Sequence, residues 1–411
     1  MLLVKNIGLL ATAEGKEPLR GSKQHEGIKL IKNAAVLIND GIIQAVYENG
    51  AVPSFSVPVE VINAQGRLVT AGLVDAHTHL IFGGWRQHEV PLKLRGASYL
   101  EILQAGGGIL NTLTATRQAT EEELYRKAGC ALDEMLAHGV TTVEAKSGYG
   151  LNIEDELKQL RVIRDLKEKG AFNVVPTFMA AHAVPPEFKG DPDGYIEFIC
   201  TKILPKVADD ELCEFVDVFC ETGVFDVEQS RKMLTYAQAY GFGTKIHADE
   251  IDAIGGSVLA GEIGAVSAEH LIAVDQAGIE SMARGGTIAC LLPGTSLYLG
   301  KDFAPARRFI EAGVPVAVCT DFNPGSCPSD NLQLCMNLAY LRYRMTPEEI
   351  LAAVTINAAC AVNRGDSIGT VEPGKQADLV LWDALDLNYL VYRMGSNLAK
   401  LVIRKGIIVK L

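Results

Sequence analysis

Two histidines separated by one residue follow a short apolar run, in the segment Leu73-Val-Asp-Ala-His-Thr-His-Leu80. Alternate side chains of a β-strand point to the same face, so His77 and His79 would lie side by side at the end of such a strand. Neutral imidazole is a common ligand of zinc and iron. The spacing therefore predicts two ligands of a metal site, although two core or surface histidines could also share it by chance.

Three further candidates, His247, His270 and Asp321, each follow another short apolar run. Catalytic metal sites keep three protein ligands and one open position, so this set predicts a catalytic metal centre. Asp321 could bind the metal and also accept a proton from the bound water, whose pKa falls to about 7 on a metal. The alternatives are a core histidine at His247 and a helix N-cap at Asp321.

Other polar residues at predicted strand ends suggest further roles. Glu250 could reach the substrate or the water, or face solvent at a helix start, and His270 could orient the water or stabilise an oxyanion. Arg86 could grip a substrate carboxylate through two hydrogen bonds, or be a solvated arginine. If a second metal were present, Glu221 would bridge better than a carbamylated Lys146, but Glu221 could equally be a buried carboxylate with backbone partners.

The composition excludes several classes of partner. The chain has 411 residues, 48% of them hydrophobic and 21% charged, and its formal net charge of −12 argues against a nucleic acid or an anionic membrane. We expect no membrane span and no signal peptide, because no apolar run is long enough and the N-terminus lacks a basic start. The nine cysteines show no paired spacing, which predicts reduced thiols in a cytoplasmic protein.

The middle of the chain alternates between strand-like and helix-like patterns. This alternation predicts an α/β fold, a (β/α)8 TIM-like barrel whose catalytic residues lie where strands end. A doubly wound open sheet is the alternative, which is weakened because no Gly-x-Gly-x-x-Gly follows the first strand. The predicted strands are Leu73–His79, Val140–Lys146, Asn173–Ala180, Phe215–Glu221, Gly243–His247, Ala265–Glu269, Thr287–Leu292 and Pro315–Thr320, and the predicted helices include Glu121–Ala137, Glu154–Lys169, Asp226–Tyr240 and Pro347–Cys360.

Both ends of the chain are rich in strand and turn signals. Asn39-Asp-Gly41 between two apolar runs predicts a hairpin, and the last forty residues have a similar texture. Each end alone is too small to form a core. We therefore expect residues 1–63 and 365–411 to build one composite β-sandwich domain beside a barrel of residues 64–364, with two independent arms as the alternative.

The candidate ligands, taken in order along the chain, resemble the amidohydrolase superfamily, and the resemblance covers nearly the whole chain. Within that superfamily, five segments are most similar to the imidazolonepropionase family of histidine degradation. No single segment is specific, but the set is. The segments are His77-Thr-His-Leu-Ile-Phe-Gly-Gly-Trp-Arg86, Glu144-Ala-Lys-Ser-Gly-Tyr-Gly-Leu151, Thr177-Phe-Met-Ala-Ala-His-Ala-Val-Pro185, Ile246-His-Ala-Asp-Glu250 and Thr320-Asp-Phe-Asn-Pro-Gly-Ser326.

This resemblance implies one bound ion, either Zn2+ or Fe2+/Fe3+, and a homodimer acting on a small molecule. It implies hydrolysis of the ring C–N amide bond of 4-imidazolone-5-propanoate to N-formimidoyl-L-glutamate. The implied metal ligands are His77, His79, His247 and Asp321, and the implied substrate contacts are Arg86, Tyr99, Tyr149, His182, Glu250, Asn323, Gly325 and Ser326.

The catalytic hypothesis assigns the proton transfer to Asp321, from the water to the leaving nitrogen, with His270 and Glu250 steering the water. Which of these three is the principal base stays open. One alternative is another cyclic amidohydrolase or a purine or pyrimidine deaminase on the same scaffold, although a deaminase would not need Arg86 to meet a carboxylate. The other is a barrel without catalytic activity, which should have lost some of these ligands.

Overall fold

The computed structural model describes residues 1–96, 107–170 and 172–409, whose strands form two sheets. One sheet consists of eight parallel strands in sequence order, and the other is a mixed sheet of eight strands from both ends of the chain. The strands are β1 Leu2–Thr12, β2 Lys29–Asn39, β3 Ile42–Tyr47, β4 Glu60–Asn63, β5 Leu68–Ala71, β6 Leu73–Asp75, β7 Val140–Lys146, β8 Asn173–Ala181, β9 Phe215–Cys220, β10 Gly243–Ala248, β11 Ser267–His270, β12 Ile288–Leu291, β13 Val316–Val318, β14 Leu379–Trp382, β15 Ala399–Arg404 and β16 Ile407–Val409.

Helices pack around the parallel strands β6–β13. Several of them begin at side-chain caps, and Thr120 forms a capping box with Glu123. The helices are Lys23–Glu26, Val90–Leu94, Ile109–Gln118, Glu121–Ala137, Ile153–Lys169, Pro192–Phe198, Leu204–Asp209, Val227–Ala239, Gly256–Glu262, Gln276–Gly285, Pro293–Leu299, Ala306–Glu311, Leu332–Leu338, Pro347–Val354, Ile356–Ala361 and Leu387–Tyr392, with short 3-10 turns at Gln87–Glu89 and Pro186–Phe188 and π-helical turns at Ile199–Ile203 and Ala339–Tyr343.

The barrel closes just beyond the last residues of its first and last strands. His79 donates its backbone N–H to Phe322 O at 2.9 Å, and Asp321 donates to His77 O at 3.1 Å. At the end of β6, the Asp75 carboxylate accepts from N and Oγ1 of Thr320, two residues beyond the end of β13, at 3.1 and 2.5 Å, in place of ladder hydrogen bonds. The closure confirms the predicted barrel and brings the His-x-His segment beside Asp321.

Most predicted elements differ from the observed ones by one or two residues at an end, and two predicted elements differ more. The first strand stops at Asp75 rather than His79, because the side-chain bonds of Asp75 replace the ladder there. The predicted helix Pro347–Cys360 is two helices that meet at Thr355, whose φ and ψ are −126° and −96°. The Thr355 hydroxyl donates to Leu351 O at 2.5 Å and occupies the carbonyl that a continuing helix would use.

The mixed sheet has the strand order β16-β15-β14-β5-β1-β2-β3, with β4 beside β1. The predicted hairpin is present, since β2 and β3 pair around Asp40 and Gly41, both at positive φ. Leu68–Ala71 pairs with β1 and β14 in this sheet, although it was assigned to the barrel segment in the predicted division. The division into two domains stays a prediction.

All nine cysteines carry unpaired thiols. Among the described helices, none combines the length and the hydrophobicity that crossing a bilayer requires.

Candidate metal centre and active site

The predicted ligands lie at the carboxyl ends of four barrel strands. His77 and His79 follow β6, His247 lies near the end of β10, His270 ends β11, and Asp321 follows β13. All five side chains are buried. Parallel strands of a closed barrel bring their carboxyl ends to one rim, so residues far apart in the sequence meet there.

Two of these residues have backbone conformations that side chains rarely adopt. The φ angles of His270 and Asp321 are 68° and 57°, in the left-handed region. Such conformations cost free energy and persist where the surrounding structure holds them, commonly at functional sites. Here the left-handed turn occurs as each chain segment leaves its strand at the barrel rim.

The ligand atoms converge on one small volume. Asp321 Oδ1 lies 3.5 Å from His77 Nε2 and 3.5 Å from His79 Nε2. His79 Nε2 lies 3.3 Å from His247 Nε2. Two overlapping sets could each hold an ion, His77 with His79 and His247, and His77 with His270 and Asp321.

Hydrogen bonds on the far side of two rings determine which nitrogens face this volume. His77 Nδ1 is 2.9 Å from Glu269 Oε2, and His247 Nδ1 is 3.1 Å from Asp217 Oδ1. In a neutral imidazole the Nδ1–H donates to the carboxylate, which leaves the Nε2 lone pair pointing inward.

Two of the inward atoms lack hydrogen-bond partners among the described residues. His77 Nε2 and Asp321 Oδ1 are both buried without one. Facing lone pairs repel each other and leave buried polar atoms unsatisfied, a costly arrangement unless a cation lies between them. The residues present therefore fit a metal ion.

Burial sets the protonation of these groups. It lowers the pKa of His77 and His79 well below the ordinary value and lowers that of His247 to about 4. It raises the pKa of Asp321 to about 6. The imidazoles are therefore neutral near pH 7, which is the form that binds metals.

A layer of buried charges supports the ligands from below. Asp217 joins His247 to Lys146, whose Nζ is 2.8 Å from Asp217 Oδ2 and 2.8 Å from Glu144 Oε1. Although burial disfavours their charged forms, the opposite charges raise the pKa of Lys146 and hold that of Asp217 well below its usual value. Lys146 is thus an ammonium between carboxylates, which disfavours its carbamylation.

Two members of this layer, Asp217 and Glu269, were absent from the predicted site. Asp217 lies in the apolar run Phe215-Val-Asp-Val-Phe219, and Glu269 directly precedes His270. An acidic residue within a buried strand is itself a signal, because it needs a partner there. That signal could have indicated both residues, but not which histidine each one holds.

Glu221 has a structural role in this geometry. Its carboxylate accepts the backbone N–H groups of Thr222 at 2.8 Å, Ile251 at 2.8 Å and Asp252 at 3.2 Å. These bonds tie the chain after β9 to the chain after β10. The interpretation as a buried carboxylate with backbone partners is favoured over that of a bridging metal ligand.

A cavity of about 530 Å3 opens at the barrel rim above the ligands. His77 lies beneath it, and Tyr99 falls outside the described residues. The remaining predicted site residues all line the cavity, but their roles as metal ligands, substrate contacts or catalytic groups stay predictions. These lining residues are His79, Arg86, Tyr149, His182, His247, Glu250, His270, Asp321, Asn323, Gly325 and Ser326.

One wall of the cavity is aromatic and polar. His182 stacks on His79 with 4.7 Å between ring centres, and the Tyr149 ring is 5.1 Å from His182. Burial lowers the pKa of His182 to about 4, and His182 Nδ1 lies 3.0 Å from Gly148 O. A neutral His182 that donates from Nδ1 presents Nε2 as an acceptor.

A second pair and a turn complete the site. Glu250 Oε2 is 3.7 Å from His270 Nε2. The Asn323 side chain is engaged within its own turn, since it donates to Asp321 O at 2.7 Å and accepts from the backbone N–H groups of Gly325 and Ser326 at 2.8 and 2.7 Å. These hydrogen bonds of the Asn323 side chain stabilise the turn that follows Asp321.

Arg86 is oriented by a carboxylate that we did not predict. Its Nε and Nη2 lie 2.8 and 3.2 Å from the oxygens of Glu89, which is buried and also accepts the Gly108 N–H at 2.7 Å. Arg86 Nη1 approaches Gly325 so closely that a Cβ there would collide with it. The guanidinium is therefore held between Glu89 and a glycine that leaves room for it.

A closed parallel barrel with histidines and a carboxylate converging at its rim has the organisation of a metal-dependent barrel enzyme. The chain belongs to the amidohydrolase family, whose family model matches residues 68–409. It is therefore a hydrolase.

Relatives and solved structures extend this comparison. An imidazolonepropionase of Caldanaerobacter subterraneus subsp. tengcongensis is 50% identical over 403 residues, which are 98% of this chain and 96% of the relative. An imidazolonepropionase of Bacillus cytotoxicus is 48% identical over 406 residues, with the same coverage of both chains.

The solved structures show the same fold at low identity. A 5-methylcytosine deaminase from Klebsiella pneumoniae superposes with a TM-score of 0.74 at 18% identity, covering 99% of this chain and 98% of that one. The zinc complex of atrazine chlorohydrolase from Arthrobacter aurescens superposes with a TM-score of 0.73 at 18% identity, covering 99% and 95%.

Proposed function

We propose that this chain hydrolyses the ring C–N amide bond of 4-imidazolone-5-propanoate to give N-formimidoyl-L-glutamate, a step of histidine degradation. The observation that carries the proposal is one cavity lined both by the histidine and aspartate cluster and by Arg86. The first feature suits hydrolysis of an amide and the second suits a substrate with a carboxylate. The names of the relatives support the same substrate.

The proposed metal site takes one ion, Zn2+ or Fe2+/Fe3+, on His77, His79, His247 and Asp321. When bound, such an ion supplies an activated water as the nucleophile. Asp217 and Glu269 hold the rings of His247 and His77 in the tautomer that binds a metal.

The chain's own residues move the protons. Thr295 Oγ1 donates to Asp321 Oδ2 at 2.5 Å, which holds the carboxylate in place while Oδ1 faces the cluster. The Asp321 carboxylate receives a proton from the attacking water and delivers it to the ring nitrogen as the C–N bond breaks. Glu250 and His270, which lie together beside the cavity, orient the water.

Three other residues that line the cavity, Arg86, His182 and Tyr149, recognise the substrate in this proposal. Arg86 binds the propionate, because the Nε edge of its guanidinium is already occupied by Glu89 and its remaining N–H groups have no hydrogen-bond acceptor among the described residues. His182 Nε2 accepts a ring N–H, and the Tyr149 hydroxyl donates to the ring or to the carboxylate. Burial raises the pKa of Tyr149, so its hydroxyl keeps the proton that it donates.

Replacing Arg86 with alanine should raise KM for imidazolonepropanoate by about 10- to 150-fold, the loss expected for a charged hydrogen bond. The value of kcat should change little, because the carboxylate is remote from the bond that breaks. Steady-state kinetics would measure both constants. An unchanged KM would show that Arg86 does not bind the propionate.

Replacing Gly325 with alanine should have a similar but smaller effect, a rise in KM of about 10-fold, because the new methyl group displaces Arg86 Nη1. Gly129→Ala is a matched control, since a Cβ there meets no atom of the described part of the chain within 4 Å. If both variants kept the wild-type KM, the close approach of Arg86 to Gly325 would have no bearing on binding.

A direct assay tests the proposed reaction. The purified protein should remove the ultraviolet absorbance of imidazolonepropanoate and lose this activity with a chelator. Release of ammonia from a purine or pyrimidine, with no turnover of imidazolonepropanoate, would favour the deaminase alternative instead. Inactivity on both substrate classes, with metal bound, would favour a barrel without catalysis.

We further propose a cytoplasmic homodimer. The unpaired cysteines support the cytoplasm. Four exposed apolar side chains, those of Tyr340, Leu341, Tyr389 and Tyr392, line a groove of about 870 Å3 and support an interface with a second copy. Light scattering coupled to size-exclusion chromatography would measure the molar mass. The mass of a single chain would contradict the homodimer.

A further inference from the structure

Lys127 contacts the loop that carries Arg86 from outside the cavity. It lies in the helix Glu121–Ala137, and its ammonium is 3.7 Å from the ring centre of Phe82 and 4.3 Å from that of Trp85. It also donates a hydrogen bond to Gly84 O. One charged group thus contacts three of the four residues, Phe82–Trp85, that lead to Arg86.

The two aromatic rings and the Gly84 carbonyl oxygen replace water molecules as neighbours of the Lys127 ammonium. Among residues 1–96, 107–170 and 172–409, no carboxylate forms an ion pair with Lys127. The Lys127 side chain is half-buried, so its ammonium has lost part of its hydration. Aromatic faces and a carbonyl oxygen attract a desolvated cation, so the loop and Lys127 hold each other in place.

Few other contacts to the described residues hold the middle of this loop, Gly83 and Gly84. Gly83 donates to Thr116 Oγ1 at 2.9 Å and packs so tightly on Ala115 that no side chain would fit, and Gly84 adopts a φ of 67°. Glycines permit this close approach but contribute no side-chain contacts. Lys127 supplies a contact at Gly84, where the loop itself has no side chain.

The loop also reaches the turn that follows Asp321. The Trp85 ring lies 4.9 Å from that of Phe82 and 5.9 Å from that of Phe322, measured between centres. Because Trp85 directly precedes Arg86 in the chain, a shift of Trp85 would also move Arg86. Since the Arg86 guanidinium fits between Glu89 and Gly325, a small displacement of this loop would misalign it.

We propose that Lys127 is a positioning residue for the substrate carboxylate, which acts by clamping the loop Phe82–Arg86 so that Arg86 is preorganised. The inference rests on the proposed function, in which Arg86 binds the propionate. Lys127 does not line the cavity and touches none of the reacting atoms, so its effect falls on binding rather than on the chemical step.

Kinetics of Lys127→Met test the proposal. We expect KM for imidazolonepropanoate to rise about 10-fold with kcat within about twofold, because the loop loses its clamp while the metal ligands stay in place. Lys127→Arg keeps a cation that can stack on both rings and should restore most of the affinity. Arg126→Met, on the same helix and exposed, is the matched control and should behave as wild type.

Fluorescence provides a readout that does not depend on the substrate. The chain has two tryptophans, Trp85, which is 43% exposed, and Trp382, which is fully buried. Quenching by acrylamide, which is neutral and therefore does not respond to the loss of the Lys127 charge, reports chiefly on Trp85, and Trp85→Phe identifies its contribution. Lys127→Met should change the quenchable fraction, whereas Arg126→Met should not.

The outcomes separate this inference from the proposed function. If the wild type does not turn over imidazolonepropanoate, the proposed function fails, and a changed Trp85 quenching in Lys127→Met would still support the clamp. If Lys127→Met keeps the wild-type KM and quenching, the clamp is refuted. A fall in both the kcat and the melting temperature of Lys127→Met, with KM unchanged, would also refute the clamp. That result would show that Lys127 supports the fold and not substrate binding.

Discussion

Asp321→Asn is expected to lower kcat by about 10³- to 10⁴-fold, because a general base or one acidic member of a catalytic set contributes about that much. Asparagine keeps the shape of the side chain and can still meet Thr295, but its amide is no longer a proton acceptor and is a poorer metal ligand. Steady-state kinetics combined with metal analysis would separate these two losses.

Thr295→Val is the matched control for this experiment. It removes the 2.5 Å hydrogen bond to Asp321 Oδ2 and leaves the carboxylate intact, so kcat should fall only about 10-fold. Near-normal turnover of Asp321→Asn with the metal still bound would show that another group moves the proton. Glu250 and His270 would then be the candidates.

Removal of the metal is the second large perturbation. A chelator should reduce activity by more than about 10³-fold, since the ion supplies the nucleophile. It should also lower the melting temperature by several degrees, because a ligand held at about 100 to 1,000 times its Kd contributes about 3 to 4 kcal/mol to stability. The structural reason is the unsatisfied pair of His77 Nε2 and Asp321 Oδ1.

Adding metals back makes this experiment specific. Zn2+ or Fe2+ should restore both activity and melting temperature, whereas Mg2+ should restore neither, because it prefers oxygen ligands in octahedral geometry. Elemental analysis of the protein as purified would distinguish zinc from iron. Full turnover by protein shown to be free of metal would contradict the assignment of the site.

Much of the fold could be predicted because barrel strands are strongly apolar and separated by amphipathic helices. The predicted strand Val140–Lys146 and the predicted helix Glu121–Ala137 match the observed elements residue for residue. The two largest misses fall where side chains compete with the backbone for hydrogen bonds. Asp75 shortens β6, and Thr355 breaks a helix.

The partners of the site residues could not be predicted in the same way. No local sequence pattern indicates that Asp217 pairs with His247 and Lys146, since the three residues lie on three different strands. The same holds for Lys127, whose aromatic partners are about forty residues earlier in the chain. Such contacts depend on how helices and loops dock, which local patterns do not encode.

The sequence by itself determined which residue types stand at the ends of the predicted strands, because alternation and strand length follow from local patterns of apolar residues. Only the tertiary structure decided that His77, His79, His247 and Asp321 come within a few ångströms, since that requires the first and last strands to close the barrel. It also decided how Glu89 and Gly325 orient Arg86. The physical reason is that burial and long-range packing set these distances and pKa values, and neither exists until the chain has folded.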